Sequence, residues 1–483
     1  MRSGTVLLGS LAAVLGLGAC EPAEESATTG TLQVRQWPSA PELTGIEQLV
    51  DAAMAAGMKE AHIPGAAIIV VRNGEVVFAK GYGKADVASD RPFSPDETIF
   101  PIASVSKLFT ATAVMQLVDT GEVDLAADVN RHLETAKVPP TYPEPVTVAQ
   151  LLSHTSGLDE LPGRRVRSAS ELMPLGKFLS QRLVRVHPPG EMTSYSSYGM
   201  SLAGLIVEEV SDTPFEDYLR RHIWQPLQMS DTSITVPGDT SRLATAYELD
   251  GDKPVPIPYE IYQTPPAASV LSTADDMGRF MIAHLDGGRF GDRRILGEAA
   301  TWRMQRREAT MHPKLPGWTL GFQEGDLNGL RILEHGGDIG GFSTLLTLLP
   351  EHDVGFFIVH HLESNNLRFD VRQAILDRYF PDTREQPAPV PDPKKAESLK
   401  RFVGTYRANI FCHSCSSEQP VQDFEVEANS DGTITVWGDR WVETSPLYFV
   451  AAGGKGRIGF AEDKDGRITA MSAGSWKVVE KID

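Results

Sequence analysis

Ser104-Val105-Ser106-Lys107 sets a hydroxyl and an amine three residues apart, a spacing that stacks two side chains on one face of a helix, one turn apart. The surrounding stretch, IASVSKLFTATAVMQL, predicts a helix over residues 104–119 with apolar residues nearly all round, closed by Gly121, and therefore one that runs through a core. A helix start offers backbone N–H groups and a positive end, which favour an alkoxide on Ser104 and later an oxyanion on an acyl group. An amine held in that partly dry, positive setting has its ammonium form disfavoured, so Lys107 can accept the serine proton. The chemistry implied is acyl transfer through Ser104. The competing reading is an N-cap serine beside a solvated lysine, and the tetrapeptide alone leaves both open.

Tyr195 in SYSSYG and His335 in HGGD add a phenol and an imidazole, which are proton carriers for acyl transfer that needs no metal. His154 in LLSHTSGL reads as a structural loop residue, and His360-His361 at a strand end as packing or surface residues, with no HExxH around them. There is no Gly-x-Ser-x-Gly elbow and no phosphate-cradling glycine loop, so an α/β-hydrolase and a nucleotide cofactor are not implied, and no cofactor is expected. Cys412 and Cys415 in FCHSC read as a local disulfide or a free pair, because no neighbouring CxxC or HxxxH supplies the two further ligands of a zinc site. DKDG at Asp463 reads as a hairpin turn, since it lacks the glutamate that closes a calcium loop.

These side chains need a scaffold. From Pro41, Leu43, Ile46, Val50, Ala53 and Met54 recur at helical spacing, predicting a helix that stops at Gly57 or by Pro64. AAIIVV and VVFAKGYG flank Arg72-Asn73-Gly74-Glu75, the pattern of a tight hairpin. Short helices such as 198–211 and Pro/Gly-rich loops fill residues 122–300, strand patterns return at 330–361, and a helix follows at 367–379. Strands at both ends with helices between predict one sheet closed by distant segments. PDTREQPAPVPDPKKAE then reads as a stiff, solvated spacer, and the short strand patterns beyond it as a small all-β domain.

Arg2 and the apolar run TVLLGSLAAVLGLGAC suit an export signal, too short to span a bilayer comfortably. Leu17-Gly18-Ala19-Cys20 is similar to a bacterial lipobox, which implies acylation of Cys20 and a lipoprotein of the bacterial cell envelope, facing the periplasm. The expected organisation is a signal at 1–20, a flexible tether at 21–40, a catalytic domain at 41–380, a Pro-rich linker at 381–396 and the β domain at 397–483. A formal net charge of −19 repels phosphate backbones, so nucleic acid is not an expected partner.

Several separated stretches together resemble the serine β-lactamase and penicillin-recognising hydrolase family, nearest its class C β-lactamase-like branch, which includes D-alanyl-D-alanine peptidases and family VIII esterases. They are IASVSKLFTA, LLSHTSGL (151–158), HPPGEMTSYSSYGMSLAGLIVEEVS (187–211), PLQM at Pro226, SVLSTADDMGRFM (269–281) and HGGDIGGFSTLLTLLPE (335–351), in the family's chain order. The resemblance implies an α+β fold, an antiparallel sheet flanked by helices plus a helical subdomain, with the site between them. It makes Ser104 the acylated nucleophile, Lys107 its activating partner and Tyr195, as phenol or phenolate, a proton relay. Ser197 stands where many members carry Asn, which removes an amide for a substrate acylamino group. His335-Gly336-Gly337 matches the family's Lys-Thr-Gly strand; an imidazole charged only part of the time near neutrality holds a substrate carboxylate less firmly, and paired glycines permit close backbone approach. The backbone N–H groups of Asp338 and Ser104 form the expected oxyanion hole. The implied substrate is a small ester, amide or peptidoglycan-like molecule. Esterase, D-alanyl-D-alanine peptidase, true β-lactamase and a non-catalytic cell-wall-binding lipoprotein remain the alternatives; the sequence leaves the oligomeric state open.

Overall fold

The computed structural model describes residues 41–410, 412–415 and 423–483; the signal, the tether and Cys20 lie outside them. Helix α1 (Ile46–Glu60) buries Ile46, Val50 and Met54 and runs past Gly57, ending before Pro64. The hairpin forms as expected, from β1 (Gly65–Arg72) and β2 (Glu75–Asp86), with Asn73 and Gly74 both at positive φ in its turn. A short β3 (Arg91–Pro92) follows, then α2 (Ser106–Asp119), α3 (Ser197–Ser211) and α4 (Ala274–Leu285). The chain returns as β4 (Gln323–Leu327), β5 (Leu330–Ile339), β6 (Phe342–Leu349), β7 (Val354–His361) and α5 (Leu367–Tyr379).

The seven strands form one antiparallel sheet in the order β4-β5-β6-β7-β1-β2-β3. Pairing of β1 with β7, for example Ile68 opposite Ile358, is the closure by distant segments that the sequence predicts. Both faces of β1 are buried: Ala67, Ile69 and Val71 join the core shared with α2, α3 and α4, while Ala66, Ile68 and Val70 join the core shared with α1 and α5. That two-sided burial explains why β1 reads as a continuous apolar run rather than an alternating one.

The spacer is solvated, with no buried residue over 381–396, and it touches the β domain. Gln386 accepts a hydrogen bond from Arg457, and the Gly432 backbone packs against the Asp392 carbonyl so closely that a Cβ there would lie 1.9 Å from it. Eight strands make a closed barrel: β8 (Gly404–Ala408), β9 (Asp423–Ala428), β10 (Ile434–Val436), β11 (Asp439–Ser445), β12 (Tyr448–Ala451), β13 (Arg457–Glu462), β14 (Ile468–Ser472) and β15 (Val478–Lys481). Closure of β8 on β15 removes the sheet edges. DKDG is the β13–β14 turn, with Gly466 at positive φ, and Cys412 is disulfide-bonded to Cys415.

Candidate active site

Ser104 lies one element earlier than the sequence predicts. It sits in a 3₁₀ turn, Ala103–Val105, and α2 starts at Ser106. Ala103 at φ 49° turns the chain out of the short Phe100–Pro101 strand into that helix. Ser104 is therefore not an N-cap: neither the turn nor α2 has a side-chain cap. The turn is fixed from outside, by the Ile102 N–H donating to Val270 and by Thr344 Oγ1 donating to the Ile102 carbonyl at 3.0 Å.

Lys107 still reaches the serine across the 3₁₀–α junction. Its Nζ lies 3.1 Å from Ser104 Oγ and 2.8 Å from the Ala267 carbonyl. Neither partner is a carboxylate, and the side chain is buried. Burial, helped by the Arg164 charge and opposed by Glu160, pushes its pKa down to about 7. Nζ also sits over the Tyr195 ring, 4.8 Å from its centroid. Tyr195 shares a hydrogen bond with Ser104, yet burial pushes its pKa up, so at neutral pH the group present is a phenol and not a phenolate.

His335 comes from β5. Residues 335–339 of that strand pair only with β6, because β4 stops pairing at Glu334, which leaves one strand edge facing the serine turn. Its ring centroid is 6.3 Å from that of Tyr195. The expectation that this imidazole carries charge part of the time is overturned: burial and the Lys107 charge push its pKa down to about 3. Nδ1 lies 2.7 Å from the Gly336 carbonyl, a contact that places the proton on Nδ1 and leaves Nε2, buried and without a hydrogen bond, as a lone pair.

The two glycines are not equivalent. A Cβ on Gly337 would lie 2.5 Å from the Ile102 carbonyl and 3.0 Å from Ala103 Cβ, whereas one on Gly336 would meet only an ordinary contact at 3.9 Å. The close approach belongs to Gly337, where bare backbone lets β5 lie against the serine turn. Gly337→Ala is expected to force the two apart, costing about 1–3 kcal/mol of stability and most of any turnover; urea unfolding and ester kinetics check both.

The Asp338 side chain points away from this chemistry, into an ion pair with Arg368 (2.6 Å) and a hydrogen bond from Ser343. Burial favours the neutral carboxyl, but Arg368 outweighs it and holds the pKa below the usual range. Ser197 is the first residue of α3, where its N–H donates to Glu160 Oε2 at 2.6 Å, and Glu160 is paired with Arg164 at 2.8 Å.

Three aromatic neighbours complete the surroundings: His154, read from LLSHTSGL as a structural loop residue, and Trp318 and Trp476, which no local signal marks. His154, at φ 56°, stacks 4.5 Å from the Tyr195 ring and accepts the Ser196 N–H through Nδ1. Trp318 lies 4.4 Å from His154 and 6.1 Å from His335. Trp476, from the β14–β15 loop of the barrel, lies 4.8 Å from Tyr195; the loop is held by the Trp318 indole N–H donating to the Ser475 carbonyl at 2.9 Å. His360 and His361 are buried, His361 against Phe93, Tyr247 and Phe342, so they pack.

The family model described as Beta-lactamase matches residues 50–379. Protein flp of Staphylococcus aureus (strain MW2) is 27% identical over 360 residues, spanning 69% of this chain and 70% of that protein. Penicillin-binding protein 4 of Amycolatopsis lactamdurans is 31% identical over 322 residues, 60% of this chain and 79% of that one. The octameric penicillin-binding protein homologue from Pyrococcus abyssi superposes with a TM-score of 0.61 at 23% identity, covering 90% of this chain and all of that one. The chain therefore belongs to the beta-lactamase family and is related to the penicillin-binding proteins.

Proposed function

We propose that the protein is a serine hydrolase that cleaves a carboxylic ester or amide in two steps through an acyl-Ser104 intermediate. The observation that carries this is the 3.1 Å contact between Ser104 Oγ and the amine of Lys107, a buried group held near neutrality by its surroundings. A neutral Lys107 donates one N–H to the Ala267 carbonyl and turns its lone pair to the Ser104 hydroxyl, whose oxygen attacks the substrate carbonyl as the proton moves to Nζ. The backbone N–H groups of Ser104 and Asp338 face the developing oxyanion. Tyr195, as a phenol, protonates the leaving group and is reprotonated from Lys107. Water then cleaves the acyl-enzyme by the reverse path. Neutral His335, with its Nε2 lone pair, accepts a hydrogen bond from a substrate or water and offers no charge for a carboxylate.

Two features favour an ester or small amide over a penicillin or a D-alanyl-D-alanine peptide. Ser197 brings a short hydroxyl in place of an amide, and His335 brings no positive charge. A p-nitrophenyl ester and nitrocefin assayed side by side should give ester turnover well above that of nitrocefin; the reverse ratio would reassign the enzyme to β-lactam chemistry. A fluorophosphonate adduct on Ser104 by intact mass separates either enzyme from a pure binder, which forms none. The export signal and Cys20 extend the proposal to a lipid-anchored protein of the cell envelope, tested by whether Cys20→Ser releases it from the membrane fraction.

A further inference from the structure

The barrel meets the catalytic domain at a second cluster of side chains. His187 Nε2 and His413 Nε2 face each other at 3.2 Å, and Glu480 brings Oε1 to 3.2 Å from His413 Nε2 and Oε2 to 3.8 Å from His187 Nε2. Among the described residues this is the one group of three potential ligands converging on a point, and all three side chains are largely buried, 13–16% exposed. We propose that it binds one zinc ion, as a two-histidine, one-glutamate site with water as the fourth ligand, clamping the barrel onto the catalytic domain.

The geometry supports a metal over a chance contact. Ligands at 2.0–2.1 Å from a tetrahedral zinc lie about 3.3 Å from one another, and two of the three separations already have that length. Both histidines present the same atom, Nε2, so the set requires no ring flip. The other nitrogen of His413, Nδ1, lies 3.4 Å from Asp159 Oδ1, the carboxylate–histidine arrangement that fixes the ring of a zinc ligand and raises its basicity.

Each ligand is held by contacts of its own. The Val186 and His187 N–H groups both donate to the Gly157 carbonyl, and Gly157, at φ 69°, lies so near the His187 carbonyl that a Cβ would sit 2.1 Å from it. The disulfide-closed 412–415 turn donates the His413 N–H, the Ser414 N–H and the Ser414 hydroxyl to Asp159, at 2.9, 2.9 and 2.6 Å. Glu480 stands on β15, paired across the barrel seam with Arg407. A site built from residues 187, 413 and 480 has no local spacing, which is why a search for neighbouring CxxC or HxxxH pairs passes over it. The cysteines are not ligands, since they are spent in the disulfide.

The test uses the metal-free full-length protein with its disulfide intact, titrated with Zn²⁺ against a chromophoric chelator. One zinc per chain with a micromolar or tighter Kd is expected. His187→Gln and Glu480→Gln, which keep size and fold, should each weaken binding at least about 100-fold, more than loss of an outer-shell partner does. Circular dichroism confirms that each variant is folded, and Co²⁺ in place of zinc should give the visible absorption of a tetrahedral site in the wild type and not in the variants. Absence of saturable binding overturns the proposal. So does zinc held equally by both folded variants, or binding that appears only after reduction, which would assign the metal to the thiolates of Cys412 and Cys415.

Discussion

Replacing Ser104 by alanine is expected to lower ester turnover by about 10³-fold or more and to abolish covalent labelling, while leaving the fold unchanged. The serine hydroxyl is partly exposed and its backbone is held by Ile102, Val270 and Thr344 rather than by its own side chain. Removing one oxygen therefore deletes the attacking atom and disturbs little else. The measurements are steady-state hydrolysis of a p-nitrophenyl ester, intact mass after fluorophosphonate treatment, and the thermal midpoint. Turnover retained in Ser104→Ala would end the acyl-serine mechanism.

Lys107→Met should cost a comparable factor, about 10²–10⁴ for loss of a general base, and should also change stability in a pH-dependent way. In the wild type, kcat/KM should rise about tenfold per pH unit up to the pKa near 7 and level off above it, as the neutral amine becomes the dominant form. The folded pKa lies below the unfolded value of 10.5. Between pH 7 and 10.5 the unfolded chain therefore holds a proton that the folded protein lacks. Wild-type stability rises with pH across that window, and below pH 7 the penalty of burying the amine is fully present. Methionine carries no such penalty, so the variant's stability relative to wild type should be greatest at pH 7 and shrink by up to about 3 kcal/mol by pH 9. Urea unfolding of both proteins at the two pH values reads this; a difference that is flat or grows with pH would mean that Lys107 is not a buried amine titrating near neutrality.

Local chemistry was the legible part of this molecule. Asn73-Gly74 marks its hairpin because only a few residues adopt two successive positive φ values cheaply, and α2 reads as a core helix because apolar residues surround it. Ser104 and Lys107 are three positions apart, so almost any helical geometry brings them together. What depends on non-local packing was hidden. The start of α2 slips by two residues because Ala103 is forced into the left-handed region by the turn from the preceding strand. The charge of His335 follows from burial among Trp318, Tyr195 and Lys107, none of which is near it in sequence. Trp476 reaches Tyr195 only because a barrel that begins at Gly404, after α5 has ended at Tyr379, folds back onto the preceding domain, and no pattern around that tryptophan marks it.

The junction between β1 and β7, where Ile68 meets Ile358, also governs how the molecule comes into being. Until the ribosome has delivered residue 361, the β1–β2 hairpin exposes a long, flat, apolar edge with nothing to pair it. Such topology makes folding slow and leaves the nascent chain open to aggregation. A strand whose two faces are both destined for the core is made early and sheltered late.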